Sequence, residues 1–123
     1  MRHLLNILDL TTKEINELIT TALDIEENPE KYSESCKGKI LATLFFEPST
    51  RTRLSFETAM LSLGGSVAGV SSASSSSASK GESVSDTVEV VSGYVNIIAM
   101  RHPKEGAPYV AKRHSLVPIV NAG

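Results

Sequence analysis

The sequence has one cysteine, no tryptophan, and only three phenylalanines and three tyrosines in 123 residues. With Cys36 alone, an internal disulfide is excluded, which fits a reducing compartment, and the thiol reads as a passive small side chain. With few aromatics, the core is built mostly from Val, Ile, Leu and Ala; it can form at this length but will not be large. An excess of one charge is also missing. Twelve Lys and Arg against 14 Asp and Glu leave a formal net charge of −2. That excludes a strongly basic nucleic-acid binder and a highly charged disordered chain, while leaving room for one local cationic site. No apolar run approaches the roughly 18 residues of a membrane span. The opening segment 1–10 is a poor secretory signal, because Asp9 interrupts a short apolar stretch and no small-residue cleavage site follows. His3, His102 and His114 lack metal-ligand spacing, so no metal is expected. These absences point to a soluble cytoplasmic chain with neither a nucleic-acid nor a membrane partner.

What is present alternates. Thr11 and Glu14 form a capping box before a helix whose Ile15, Leu18, Ile19 and Ala22 share one face; the pattern ends at Glu26–Pro29. Residues 30–38 are polar. Lys39–Phe46 is a continuous apolar run, as expected of a strand covered on both faces. A turn through Glu47–Thr50 leads into a helix carrying Phe56, Ala59, Met60 and Leu63 on one side, stopped by Gly64-Gly65. Ser66–Val70 reads as a second strand. Residues 71–79 hold seven serines and two alanines and cannot pack a core, so they read as a mobile loop. A helix starting near Glu82 or Ser83 carries Val84, Thr87, Val88 and Val91. Val95–Met100 is a third strand, residues 107–113 a further helix, and Val117–Val120 a fourth strand. This order predicts an α/β three-layer sandwich with a central parallel sheet of about four strands and helices on both faces. Ligands in such folds sit beyond the carboxyl ends of the strands. A chain that stops at Asn121-Ala122-Gly123, just past a buried strand, also reads as half of something.

The most informative segment is Ser49-Thr50-Arg51-Thr52-Arg53. It lies between a strand and a helix, where free N–H groups and the positive end of the helix dipole point outward. Serine and threonine cap such turns, but two arginines oppose the dipole unless an anion is bound there. The competing arrangement pairs Arg51 and Arg53 with Glu47 and Glu57. Arg53 is the more structural of the two, since Glu57 follows at i+4. Arg101 ends the third strand and can point into the same crevice. His102, before Pro103, reads as a hydrogen-bonded structural histidine. Lys80 can bring one cation to an anionic ligand, with Gly81 permitting the bend. Gly64-Gly65 follows a helix rather than opening one, so it is neither a Rossmann nor a Walker fingerprint.

The run Phe45–Glu57 resembles the carbamoyl-phosphate signature of aspartate carbamoyltransferases. The resemblance continues in order through Leu63–Gly65, Lys80–Glu82, Asp86-Thr87, Met100–Pro103 and Val117–Gly123. Ornithine carbamoyltransferases share the Ser-Thr-Arg-Thr core, but the preceding Glu47-Pro48 looks like the aspartate enzyme. The resemblance implies that residues 1–123 are the carbamoyl-phosphate-binding domain, with the amino-acid-binding domain absent. It implies that Ser49, Thr50, Arg51 and Thr52 bind the phosphate, with Thr52 also near the carbamoyl oxygen, and that Arg101 contacts phosphate and carbonyl. Ser76 and Lys80 would reach into a neighbouring subunit's site, Ser76 being chosen by its spacing of four before Lys80. Family catalytic chains form homotrimers with shared sites, and some also associate with zinc-bearing regulatory chains.

The implied reaction is attack of the L-aspartate amine on the carbamoyl carbon, with phosphate leaving, as in pyrimidine biosynthesis. It needs no redox cofactor and no covalent protein intermediate. Arg51, Thr52 and Arg101 would carry the catalytic electrostatics. The family's catalytic chain is more than twice this length, so the fragment alone is expected to be inactive. The alternatives are an ornithine-type enzyme, an anion-binding fragment that catalyses nothing, and a structural role in a trimer.

Overall fold

The computed structural model describes residues 1–70 and 83–123. Strands β1 (Ile40–Phe45), β2 (Ser66–Val70), β3 (Ile97–Arg101) and β4 (Ile119–Asn121) follow helix α1 (Thr12–Glu27). They alternate with α2 (Thr50–Ser62), α3 (Val84–Ser92) and α4 (Ala107–His114). The strands form one sheet in the order β2-β1-β3-β4, every pair parallel. The chain steps one way from β1 to β2 and then back across to β3 and β4. Right-handed crossovers therefore send α2 to one face and α3 and α4 to the other. The packing agrees. Phe56 and Met60 of α2 meet Leu41, Val67, Ile97 and Ala99. Val88, Ala107 and Ala111 of α3 and α4 meet Ala42, Leu44, Ile98, Met100 and Ile119 on the opposite face. The expected parallel α/β sandwich is present. Among the described residues, no helix is long and apolar enough to cross a membrane.

The structure differs locally from the sequence reading in three places. β3 starts at Ile97 rather than Val95; Asn96, just before it, clasps the first residue of β1, its N–H donating to the Ile40 carbonyl at 2.9 Å and its Oδ1 accepting from the Ile40 N–H at 2.7 Å. β4 starts after Pro118, which has no N–H for a ladder, and Ser115 Oγ holds the Val117 N–H at 3.2 Å instead. Leu4, assigned to no element from the sequence, bridges in parallel to Val120. Its N–H donates to the Ile119 carbonyl at 2.8 Å and its carbonyl accepts from Asn121 at 2.8 Å. Helix α1 has its capping box, with Thr11 Oγ1 accepting from the Glu14 N–H at 3.1 Å and Glu14 accepting from the Thr11 N–H at 2.9 Å. No residue of α1 is buried, however, and Leu18, Ile19 and Leu23 are 53–60% exposed.

Helix α2 ends as Gly64-Gly65 predicts. The Gly64 N–H donates to Leu61 and the Gly65 N–H to Met60, at 3.1 and 3.0 Å, with Gly64 at φ +86°. A Cβ on Gly64 would lie 2.4 Å from the Ser33 carbonyl oxygen. Gly64→Ala therefore combines left-handed strain with a backbone clash. It is expected to destabilise the fold by about 1–3 kcal/mol, read in urea as a lower midpoint at unchanged slope.

Candidate anion-binding site

The carboxyl ends of β1, β3 and β4 converge where the β1–α2 turn begins. Ser49 is the N-cap of α2, yet its side chain makes no capping hydrogen bond, and no acidic residue lies in the first turn. The first N–H to close onto the helix is that of Arg53, on the Ser49 carbonyl at 3.0 Å. The amides of Thr50, Arg51 and Thr52 precede it and are left to other acceptors. Ser49 Oγ is engaged elsewhere: it accepts from Arg101 Nη1 at 2.8 Å. Arg101 Nε donates to Glu47 Oε1, also at 2.8 Å. Two loop residues thus hold the guanidinium at the end of β3, about a third exposed, above the end of β4. The nearest Arg101 nitrogen lies 3.5 Å from where a Cβ on Gly123 would stand. The predicted residues Ser49, Thr50, Arg51, Thr52 and Arg101 come together at one end of the sheet. Ser76, Lys80 and the serine run lie outside the described residues.

The competing pairing scheme is half right. Arg53 does pair with Glu57, Nε to Oε2 at 3.0 Å. Glu47 pairs with Arg101 and not with Arg51. Among the described residues no ion pair reaches Arg51, which is exposed at the mouth of the turn. A cavity of about 450 Å³ opens beside the cluster, lined in part by Glu47, His102, Lys104, Asn121 and Gly123. His102 is structural, as expected. Its ring packs on Phe46 at 5.1 Å and its Nδ1 accepts from the Lys104 N–H at 3.0 Å. Burial, with help from Lys104, outweighs Glu47 and holds its pKa below the ordinary 6.5, which disfavours its charged form.

Sequence reasoning missed how the turn is anchored. Thr43, fully buried in the middle of β1, donates its hydroxyl to Glu57 Oε2 at 2.6 Å, the same oxygen that takes Arg53. A Cβ on Gly69 of β2 would stand 2.6 Å from Arg53 Nη2, so only a glycine lets the guanidinium lie flat there without moving. The first turn of α2 is thereby tied to two strands. The one signal in the sequence was a lone hydroxyl within the apolar run of β1. Burial pushes the Glu57 carboxyl up, but Thr43 and Arg53 outweigh it and hold it below its ordinary 4.5. A depressed folded-state value means stability present above the unfolded value and lost as pH falls through the folded one. Glu57→Gln should cost about 1 kcal/mol at pH 7, discounted for partial exposure, with the gap from wild type closing in acid. Urea melts at both pH values check this.

The fold and the site define a class: a parallel α/β domain with a helix N-terminus and two arginines, Arg51 and Arg101, at the carboxyl end of its sheet. Residues 2–123 match the family model described as aspartate/ornithine carbamoyltransferase, carbamoyl-P binding domain, and the chain belongs to that family. The aspartate carbamoyltransferase catalytic subunit of Lachnoclostridium phytofermentans is 61% identical over 123 residues, which are all of this chain and 40% of that protein. The catalytic subunit of M. jannaschii aspartate transcarbamoylase superposes with a TM-score of 0.92 at 52% identity, over 100% of this chain and 42% of that one. Aspartate transcarbamoylase from Trypanosoma cruzi, solved in complex with carbamoyl phosphate, gives 0.91 at 33% identity, covering 99% of this chain and 40% of that one. The chain thus spans about 40% of the length of such relatives.

Proposed function

We propose that residues 1–123 form the carbamoyl-phosphate-binding domain of an aspartate carbamoyltransferase. Carbamoyl would pass from carbamoyl phosphate to L-aspartate, giving N-carbamoyl-L-aspartate and phosphate, a cytoplasmic step of pyrimidine biosynthesis. The observation that carries this reading is the Arg101–Ser49 contact, which sets a guanidinium at a helix N-terminus with no acid in its first turn. In the reaction the amine nitrogen bonds to the carbamoyl carbon, the bond from that carbon to the phosphate oxygen breaks, and the proton the amine loses ends on the leaving phosphate. The amides of Thr50–Thr52, the hydroxyls of Ser49, Thr50 and Thr52, and Arg51 would take the phosphate dianion, the place where charge ends up. Arg101 and Thr52 would stabilise the carbonyl oxygen. On binding, the phosphate would replace Glu47 as the anion on Arg101, exchanging one charge-assisted hydrogen bond for another.

The remaining parts of the reading concern assembly. The reading includes a homotrimer with shared sites, Ser76 and Lys80 supplying a neighbour, and a regulatory chain of the kind that some family members bind. L-Aspartate would be held outside these residues, so the chain alone should bind carbamoyl phosphate and turn nothing over. Two assays test this: calorimetry of carbamoyl phosphate against the chain, and carbamoyl-aspartate production by the chain with and without the remaining length of the L. phytofermentans subunit. Binding without turnover, with turnover restored in the joined chain, is the expected pair of results. Absence of binding, or a joined chain that carbamoylates ornithine instead, would refute it.

A further inference from the structure

We propose that Thr43 is a positioning residue for the anion-binding turn: through the Glu57 carboxylate its hydroxyl holds Arg53, and with it the first turn of α2, where Thr50, Arg51 and Thr52 meet a phosphate, a role that rests on the reading of that turn as the phosphate site. An uncapped helix start frays, and α2 lacks the usual remedies. The Ser49 side chain is spent on Arg101 instead of capping, and the first turn holds no acid that could reach back. Apolar packing does not replace them. Met60, in the last turn, is the one buried residue of α2, while Thr50, Arg51 and Leu54 are exposed. Arg53 is the residue whose N–H closes the helix onto the Ser49 carbonyl, so a hold on its side chain is a hold on the turn.

The sheet makes room for that hold. Thr43 sits in the middle of β1 with Gly69 of β2 and Ala99 of β3 beside it in register. Both neighbours are small, which leaves space between sheet and helix for a carboxylate and a guanidinium. Thr43 is fully buried, and Glu57 Oε2 accepts from its hydroxyl at 2.6 Å and from Arg53 Nε at 3.0 Å. A Cβ on Gly69 would stand 3.0 Å from that same oxygen and 2.6 Å from Arg53 Nη2. One oxygen with donors from two elements is fixed in direction as well as distance, because it cannot follow one donor without leaving the other. For packing alone, valine would serve in the middle of β1; what threonine adds is the donor to Glu57. Without it the Glu57–Arg53 pair, its side chains 21% and 28% exposed, is held by the helix alone and can swing toward solvent.

Calorimetry of carbamoyl phosphate, and separately of inorganic phosphate, against the chain provides the test, on variants shown by urea melts to be folded under the conditions used. Thr43→Val is expected to bind about tenfold more weakly, the effect of losing one hydrogen bond to a charged group that orients the site. Thr43→Ser keeps the donor and should bind within about twofold of wild type, although it loses a buried methyl group and melts lower. Thr58→Val removes a hydroxyl that bonds the Leu54 carbonyl of its own helix, and should bind as wild type. Gly69→Ala pushes Arg53 and Glu57 from the sheet side without touching Thr43; it should lose affinity as Thr43→Val does, and it decides the matter if Thr43→Val fails to fold. In both weakened variants the NMR signals of Arg53 Nε and of the Arg53 amide should move in the unliganded chain, and in Thr43→Ser they should not. A role in stability alone leaves the affinity of folded chain unmoved in every variant. That result, or Thr43→Ser binding as weakly as Thr43→Val, overturns the positioning role and leaves the phosphate reading standing. A wild-type chain that binds neither ligand overturns the phosphate reading, and the role of Thr43 with it.

Discussion

Arg101→Ala is expected to weaken carbamoyl-phosphate binding by about thirtyfold to a few thousandfold, the range for truncating one partner of a desolvated, hydrogen-bonded charge pair. The guanidinium sits a third exposed at the end of β3, where the Ser49 hydroxyl and the Glu47 carboxylate fix its orientation. Its loss removes a positive charge from the crevice and leaves Glu47 there unpaired, so an incoming dianion meets repulsion in place of attraction. Lys at this position should recover little, because one ammonium cannot donate to two acceptors in the planar arrangement that Arg101 shows. Glu47→Gln should do the reverse. With the resident anion gone, phosphate binds a guanidinium that no longer has to be released, and affinity should rise or hold. Calorimetry on the three variants reads all of this, and an Arg101→Ala chain that binds as wild type would remove the residue from the site.

The second large effect is on folding. Leu44 is fully buried in β1, with Val70 of β2 and Met100 of β3 opposite it in register. Leu44→Ala deletes methyl groups from the larger core cluster and leaves a cavity. The expected cost is about 2–5 kcal/mol, a large share of the roughly 5–15 kcal/mol that a domain has. The melting temperature should fall on the order of ten degrees or more. Leu54→Ala, at a position 57% exposed on α2, should change stability by no more than about 0.5 kcal/mol. The pair separates core packing from mere hydrophobicity, since both delete the same atoms. Equal losses in the two variants would contradict the assigned core.

Much of this was legible because the relevant signals are local. The unbroken apolar run before Glu47 marks a two-face-covered strand. The capping box at Thr11 and the glycine pair after Leu63 mark helix ends through contacts three to five residues apart. Arg51 stood out because arginine in a first helical turn opposes the dipole. What stayed hidden depends on distant partners. Glu47 and Arg101 are 54 residues apart, so no spacing rule could choose Arg101 over Arg51 as the partner of Glu47. The Thr43–Glu57 bond likewise needs the register of α2 on β1. The periodicity of α1 announced an apolar face but was silent about whether these residues supply what covers it. The assignment of Ser76 and Lys80 to a neighbour's site rests on resemblance and falls outside the described residues.

The central claim is that a doubly negative small ligand sits between the first turn of α2 and Arg101. Titrating carbamoyl phosphate into isotope-labelled chain and following backbone amide and arginine Nε signals by NMR tests it most directly. The account predicts saturable shifts concentrated at Thr50, Arg51 and Thr52 and at the Arg101 side chain, abolished by Arg51→Ala. Shifts scattered over the surface lysines, or none at the α2 turn at saturating ligand, would contradict it.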